Sequence, residues 1–425
     1  MSVDPRWPQE LEAPTPAFFG AFAARAQGPD GVRDAVREAV KALVPRIDWE
    51  AYLPHHPHGI LGLRAVLRLQ ELLPERAFLR ALAVQLHMAA HEGRRAQPLP
   101  ARGSDGAANL EAFVRARRPA LAYAEAQGVD LAADADFQRL GDLVALDMGN
   151  VGHKAVVADH LGDLHRRLDH PRATGRRLLG LAALVAAGPE DAFWARRAGR
   201  RLGADPPPVP WEAAPLGSGE RGTLVRDLCD AGLVALLDTL AARLQAGQGA
   251  RDTLEALVLA ATEKLLDARR DLEGKTAWTL VYLATLARRR AEDPRVWCQA
   301  AALVNLFPTD DPEGRVAPRS GVSPDAEGLR EAVLDGDAPQ AMAHAAGLAA
   351  AGQVQPVLRA LAETAAANDA AFNHAHQLLA VAAAADLLPS LSPDPAAALL
   401  AALAKSLANS QGSGDLGRLA EKALG

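Results

Sequence analysis

Cysteine is nearly missing from this sequence: 425 residues hold only Cys229 and Cys298, with no CxxC spacing. That excludes a cysteine-ligated iron–sulfur or zinc site within the chain and points to a reducing compartment. Aromatic residues are scarce at 4%, and no flavin or haem motif accompanies them. A P-loop, a GxGxxG after a strand and a GxSxG elbow are all lacking, so nucleotide-binding and serine-hydrolase readings have no motif behind them. Apolar runs such as LLGLAALVAAG and HQLLAVAAAADLL fall short of the ~20 residues a membrane span needs. No lysine-rich tract occurs and the net charge is a mild −6, so neither nucleic acid nor membrane is expected as a partner. The opening MSVDPRWPQELEAP lacks the charged-then-apolar pattern of a secretory leader. The expectation is a cytoplasmic protein.

What the sequence has in quantity is alanine, leucine, arginine and glutamate, which lose little side-chain freedom in a helix. Valine and isoleucine are too thin for many strands. The prediction is an all-α chain. Segments 93–106, 204–220 and 307–325 are dense in Pro, Gly, Ser and Asp and read as loops. Between them apolar residues recur at three and four positions. Leu224, Leu228, Leu233, Leu236, Leu237 and Leu240 predict one continuous helix ended by Gly247.

Four stretches align at their starts: PHGILGLRAVLRL from Pro57, GHKAVVADHLGDL from Gly152, GKTAWTLVYLATL from Gly274 and AHQLLAVAAAADL from Ala375. Each opens on a small residue or proline, then a basic or imidazole side chain, then an apolar helix that stops near Pro74, Pro171, Pro294 or Pro389. A second apolar helix follows each one. The starts lie 95, 122 and 101 residues apart, so the unit is a bundle of about four helices. Modules of roughly 15–100, 107–203, 219–306 and 326–425 are predicted to stack as a solenoid-like or compact array.

The alignment places His58, His153, Lys275 and His376 at equivalent positions in the first turn of their helices. The helix dipole there disfavours imidazolium, and a neutral imidazole can ligate a metal or take a proton. His160 follows His153 by two turns on the same side, with Tyr282 at the matching place after Lys275. His87 and His91, at i and i+4, have the spacing of a helical metal pair, although positions 88 to 90 lack the glutamate of HExxH. His55, His56 and His374 add imidazoles at two module starts. Each histidine, taken singly, reads first as a surface or hydrogen-bonded core residue, and only their clustering at module starts brings a functional pocket level with that reading. His165 and His170 read as solvated, His344 as packing, Cys298 as buried, and ARRRAED as a solvated helix end. Asp159 and Glu92 point away from their neighbouring histidines and make weak partners for them.

At HPHGILGLRAVLRL, GHKAVVADHL and NDAAFNHAHQLLAVAAAADLLP the chain resembles the questin oxidase-like family, and GHKA and DAAFNHAHQ are similar to helical regions attached to Rieske-type domains. The resemblance implies an all-α fold and oxygen-dependent oxidation of a secondary metabolite, at His58, His153 and His376. Lys275 departs from a uniform histidine pattern. With no Rieske pair of CxH motifs in the chain, any electron donor would be a separate protein.

Two readings stand. One is an oxidoreductase of secondary metabolism acting on a small natural-product intermediate in a histidine-lined pocket. Its catalytic residues would be His58, His153, Lys275 and His376. It would be either cofactor-independent or dependent on a non-haem iron held by His87, His91, His153 or His160. The other is a non-catalytic helical-repeat scaffold for a peptide or partner protein, in which the histidines fix helix packing.

Overall fold

The computed structural model describes residues 10, 16–47, 57–92, 99, 107–131, 134–149, 151–213, 216–268, 270–306, 315–368, 374–411, 418–420, 422 and 424. Among them every regular element is a helix and no strand occurs. The expected helical class is what the alanine- and leucine-rich sequence forms. His55 and His56 lie outside the described residues.

The chain divides into two units. Unit 1 comprises 1–190 with 366–375 and 413–425. Its helices are α1 (Pro16–Arg25), α2 (Gly28–Leu43), α3 (His58–Arg68), α4 (Glu75–Glu92), α5 (Ala107–Arg115), α6 (Pro119–Ala126), α7 (Ala135–Leu143), α8 (His153–Arg167) and α9 (Arg172–Ala186). At its centre α3 packs against α8. α4 lies against α3, and α9 against α8, α6 and α2. The seam is dry: Ile60, Leu61, Leu63, Val66, Val156, Val157, Leu161 and Leu164 have no exposed surface. Each such side chain contributes about 1.5–3 kcal/mol of hydrophobic stabilisation.

Unit 2 comprises 191–365 and 376–412. Its helices are α10 (Phe193–Leu202), α11 (Ser218–Asp230), α12 (Leu233–Gln245), α13 (Ala250–Asp267), α14 (Arg270–Arg289), α15 (Pro294–Asn305), α16 (Ala326–Leu334), α17 (Ala338–Ala350), α18 (Val354–Ala367), α19 (His374–Leu387) and α20 (Pro393–Asn409). The first residues of α19 and the last of α18 fall in unit 1. α20 packs on α17 and α13, and α13 lies against α14 and α11.

Two expectations about helix limits are corrected. The leucine stripe from Leu224 to Leu240 belongs to two helices, because Ala231 is extended (φ −72°, ψ 150°) and Gly232 caps the next helix in an extended conformation. The apolar spacing carries across the break, so periodicity alone does not reveal it. Lys275 is not in a first turn either. α14 starts at Arg270, because the helix formers ahead of Gly274 extend the helix backwards past that glycine. Lys275 is in this helix, and its side chain lies outside the described residues.

Candidate active site

Unit 1 brings two of the sequence-predicted residues together. The rings of His58 and His153 are 5.8 Å apart, edge to face at 86°. They reach this position because each is the first residue of its helix and α3 packs on α8. Pro57 precedes His58, with the φ of −66° that proline fixes. Before His153 the chain turns through Val151 (φ 50°) and Gly152 (φ 82°). A left-handed β-branched residue is costly, so the turn must be held by its surroundings. Asp147 does part of this. Its carboxylate accepts from the Gly149 N–H at 2.8 Å and from Lys154 Nζ at 2.5 Å.

Beneath His58 lies Glu92, the last residue of α4. Its carboxyl is buried, and each oxygen is 3.2 Å from the Gly59 N–H. Burial pushes its pKa up to about 8, against opposing hydrogen bonds from the Gly59 and His58 backbone. At neutral pH it is mainly a neutral acid. Glu92 does face away from His91, as the helix angle predicts, but it faces into the helix start that carries His58. Nothing in its local sequence signals this, because the contact spans 33 residues. Gly59 permits the approach: a Cβ there would lie 2.3 Å from the Ala89 amide nitrogen.

The clasp between the first turn of one helix and the end of the next recurs. The residue after each of His58, His153 and His376 ties to the chain 33 or 34 residues on. Gly59 bonds Glu92. Lys154 Nζ donates to the Gly188 carbonyl at 2.8 Å. Gln377 Nε2 donates to the Ser410 carbonyl at 3.1 Å, again 33 residues away. A second recurrence lies ten residues past the histidines of α8 and α19. Asp163 binds Arg64 of α3 at 2.6 Å, and Asp386 binds Arg288 of α14 at 2.5 Å. Arg288 is therefore a half-buried ion-pair member, a correction to the expectation that ARRRAED is wholly solvated. Arg64 is 1% exposed, and Asp163 also accepts from Arg166 and Arg167. Those cations hold its carboxyl well below the usual range in spite of its burial.

The remaining candidates are placed as follows. His376 belongs to unit 2 and meets the Trp278 ring at 6.4 Å, so the first turn of α19 lies beside α14 two turns in from the Arg270 end. His160 is buried on α8, as is the matching Tyr282 on α14. His153 and His160 are seven residues apart, ~10 Å along the axis, too far to share one ion. His87 is half-buried with Phe19 stacked flat on it at 6.0 Å, while His91 is exposed. Burial, then the charge of His91, lowers the His87 pKa. His344 is buried and its Nδ1 accepts from the Asp325 N–H at 3.1 Å, a packing role as expected. Cys298 is buried with its thiol pushed up to about 12, which suits an inert side chain.

His165 is the clear departure. It is 1% exposed, not solvated as the neighbouring arginines suggest. The arginines sit on the outer face of α8, while His165 turns inward against Phe137 at 5.6 Å. His170 is exposed, as expected.

Among the described residues no helix is long and apolar enough to cross a membrane. Compared with protein-family models, with curated proteins and with solved structures, the chain finds no match in any of the three.

Proposed function

We propose that unit 1 carries a proton-transfer site formed by His58 and His153, positioned by Glu92, and that it acts on a small acidic organic molecule. The observation that carries the reading is the edge-to-face pairing of two imidazoles at two helix starts, with a buried neutral carboxyl bonded to the amide that follows His58. Perturbed carboxyls and adjoining imidazoles concentrate where protons are moved. One imidazole takes the acidic proton of the substrate and the second stabilises the anion formed. Glu92 acts through the backbone, fixing the turn that presents His58.

The reaction class is oxygen-dependent oxidation of a natural-product intermediate, as the resemblance to the questin oxidase-like family implies. A deprotonated electron-rich substrate can itself react with oxygen, so the site's own work is the deprotonation. A non-haem iron is the alternative source of oxygen reactivity. The four modules would then be paired, with the first two supplying His58 and His153. The recurring clasps at 33 or 34 residues and the recurring aspartate ten residues past two of the histidines support that repeat reading.

The test is oxygen uptake by the purified chain with a panel of acidic phenolic and quinol substrates, wild type against His153→Ala and His58→Ala. Loss of ~10²-fold or more in turnover with retained fold supports general-base chemistry. Wild-type turnover in both variants removes it.

A second reading has its own support. The same clasps make the module starts tie-points between helices, which favours a helical scaffold for a peptide or protein partner. On that reading His153→Ala lowers the melting temperature without affecting any ligand-dependent signal.

A further inference from the structure

The opposite end of α8 holds a second cluster. Asp134, His165 and His170 offer one ligand atom each, and these three atoms all lie within 4.8 Å of one another. Among the described residues this is the one group of three such side chains gathered so closely. Its position is twelve residues along α8 from His153, ~18 Å by helical rise, so it is a separate place from the paired imidazoles.

Three features suit it to a cation. First, His165 is 1% exposed, with no hydrogen bond of ordinary geometry at either ring nitrogen. Buried polar atoms are nearly always satisfied, so an orphaned imidazole needs a partner. A neutral imidazole has a lone pair to give a metal ion. Second, Asp134 Oδ1 is likewise buried without a hydrogen-bond partner, while Oδ2 is occupied by Arg166 at 3.1 Å. Arg166 thus orients the carboxylate and leaves one oxygen available, although its charge works against a cation. Third, the chain is bent to deliver His170. Asp169 (φ 58°) and His170 (φ 53°) are consecutive left-handed residues other than glycine. The bend places the two imidazole rings 5.0 Å apart at 87°, with His170 Nδ1 3.8 Å from Asp134 Oδ1. Two such residues together cost ~2–6 kcal/mol and persist only where something gains from them. Gly175 of α9 completes the fit, since a Cβ there would lie 2.4 Å from His165 Nε2.

We propose that Asp134, His165 and His170 form a site for one divalent transition-metal ion of the zinc type. Two imidazoles and a carboxylate are a borderline donor set that suits Zn²⁺ or Co²⁺ over Mg²⁺ or Ca²⁺. The ligand atoms must draw together by about 1 Å to reach metal–ligand distances near 2.0–2.2 Å. His170 is exposed and can make that movement. Its exposure also leaves the fourth position open to water.

The experiment uses the full chain, purified without a histidine tag and freed of metal. Co²⁺ is titrated in and its visible d–d absorption followed, then Zn²⁺ is added in competition. Wild type is compared with His170→Ala and Asp134→Asn. Both positions retain solvent contact, and circular dichroism checks that each variant keeps its helices. The expected result is one Co²⁺ per chain with a four-coordinate spectrum, displaced by Zn²⁺, and affinity weakened more than about tenfold in each variant. Absence of a Co²⁺ spectrum in wild type overturns the site, and so does an unchanged affinity in either variant. Activity plays no part in this readout, so it stands or falls apart from the proposed function.

Discussion

The imidazole rings of His58 and His153 stand edge to face at 5.8 Å, although 95 residues separate them in the chain. The two are joined by helix packing, and the packing depends on small residues. Gly59 is one of these, with the Ala89 backbone 2.3 Å from where its Cβ would lie, so Gly59→Ala forces α3 off α4 at Ala89. The expected cost is about 1–3 kcal/mol or more, with a weaker His58 contribution to any activity. Denaturant melts of the variant against wild type measure it.

Glu92 makes a pH prediction. Its carboxyl ionises near 8 in the fold, against 4.5 as the ordinary value. The unfolded chain therefore loses this proton first, and between those pH values the folded state holds one more proton. The contribution of this group is fully present below about 4.5 and declines as pH rises to about 8, by a few kcal/mol in all. Glu92→Gln keeps the shape and removes the titration. Stability curves of the two proteins should converge at low pH and separate at pH 8, with the variant the more stable there. Parallel curves would contradict the assignment.

His165 predicts the opposite slope. Its pKa falls from 6.5 to about 4 in the fold. Between those values the unfolded chain binds the extra proton, so this group's contribution is present above about 6.5 and is lost as pH falls toward 4. In metal-free protein, His165→Gln should flatten the acid limb of the stability curve. An unchanged acid limb would mean that the imidazole is as accessible to protons folded as unfolded.

The Arg64–Asp163 pair tests how the central seam is held. Asp163→Ala leaves the Arg64 guanidinium buried without that carboxylate. The expected loss is about 3–5 kcal/mol, while replacing both partners by apolar residues of similar volume should recover most of it. Thermal melts of the single and double variants measure the difference.

Much of the fold was legible in the sequence, and the reasons are local. Alanine and leucine at three- and four-residue spacing define the helices, and Pro57, Gly152, Pro171 and Pro294 mark their limits. Where the signal was purely periodic, it misled. The stripe from Leu224 to Leu240 hides the break at Gly232, and Gly274 failed to start a helix. The candidate site was half legible. His58 and His153 stood out by their shared position, but Glu92 did not, because its partner is a backbone amide in another helix. His165 read as solvated beside Arg166 and Arg167, since inward and outward faces alternate within a single turn. The clasp spacing of 33 or 34 residues was present in the sequence as Gly59, Lys154 and Gln377. It becomes visible only once the helix ends they bind are known.

The most direct test of the paired-imidazole site is a proton NMR titration of the histidine ring resonances in wild type and in His153→Ala. Two imidazoles at this separation sense one another's charge. The account predicts that removing His153 shifts the His58 titration by about half a pH unit or more, since two charges this close interact by a sizeable fraction of a kcal/mol even in water. A His58 curve that superimposes on wild type would contradict it.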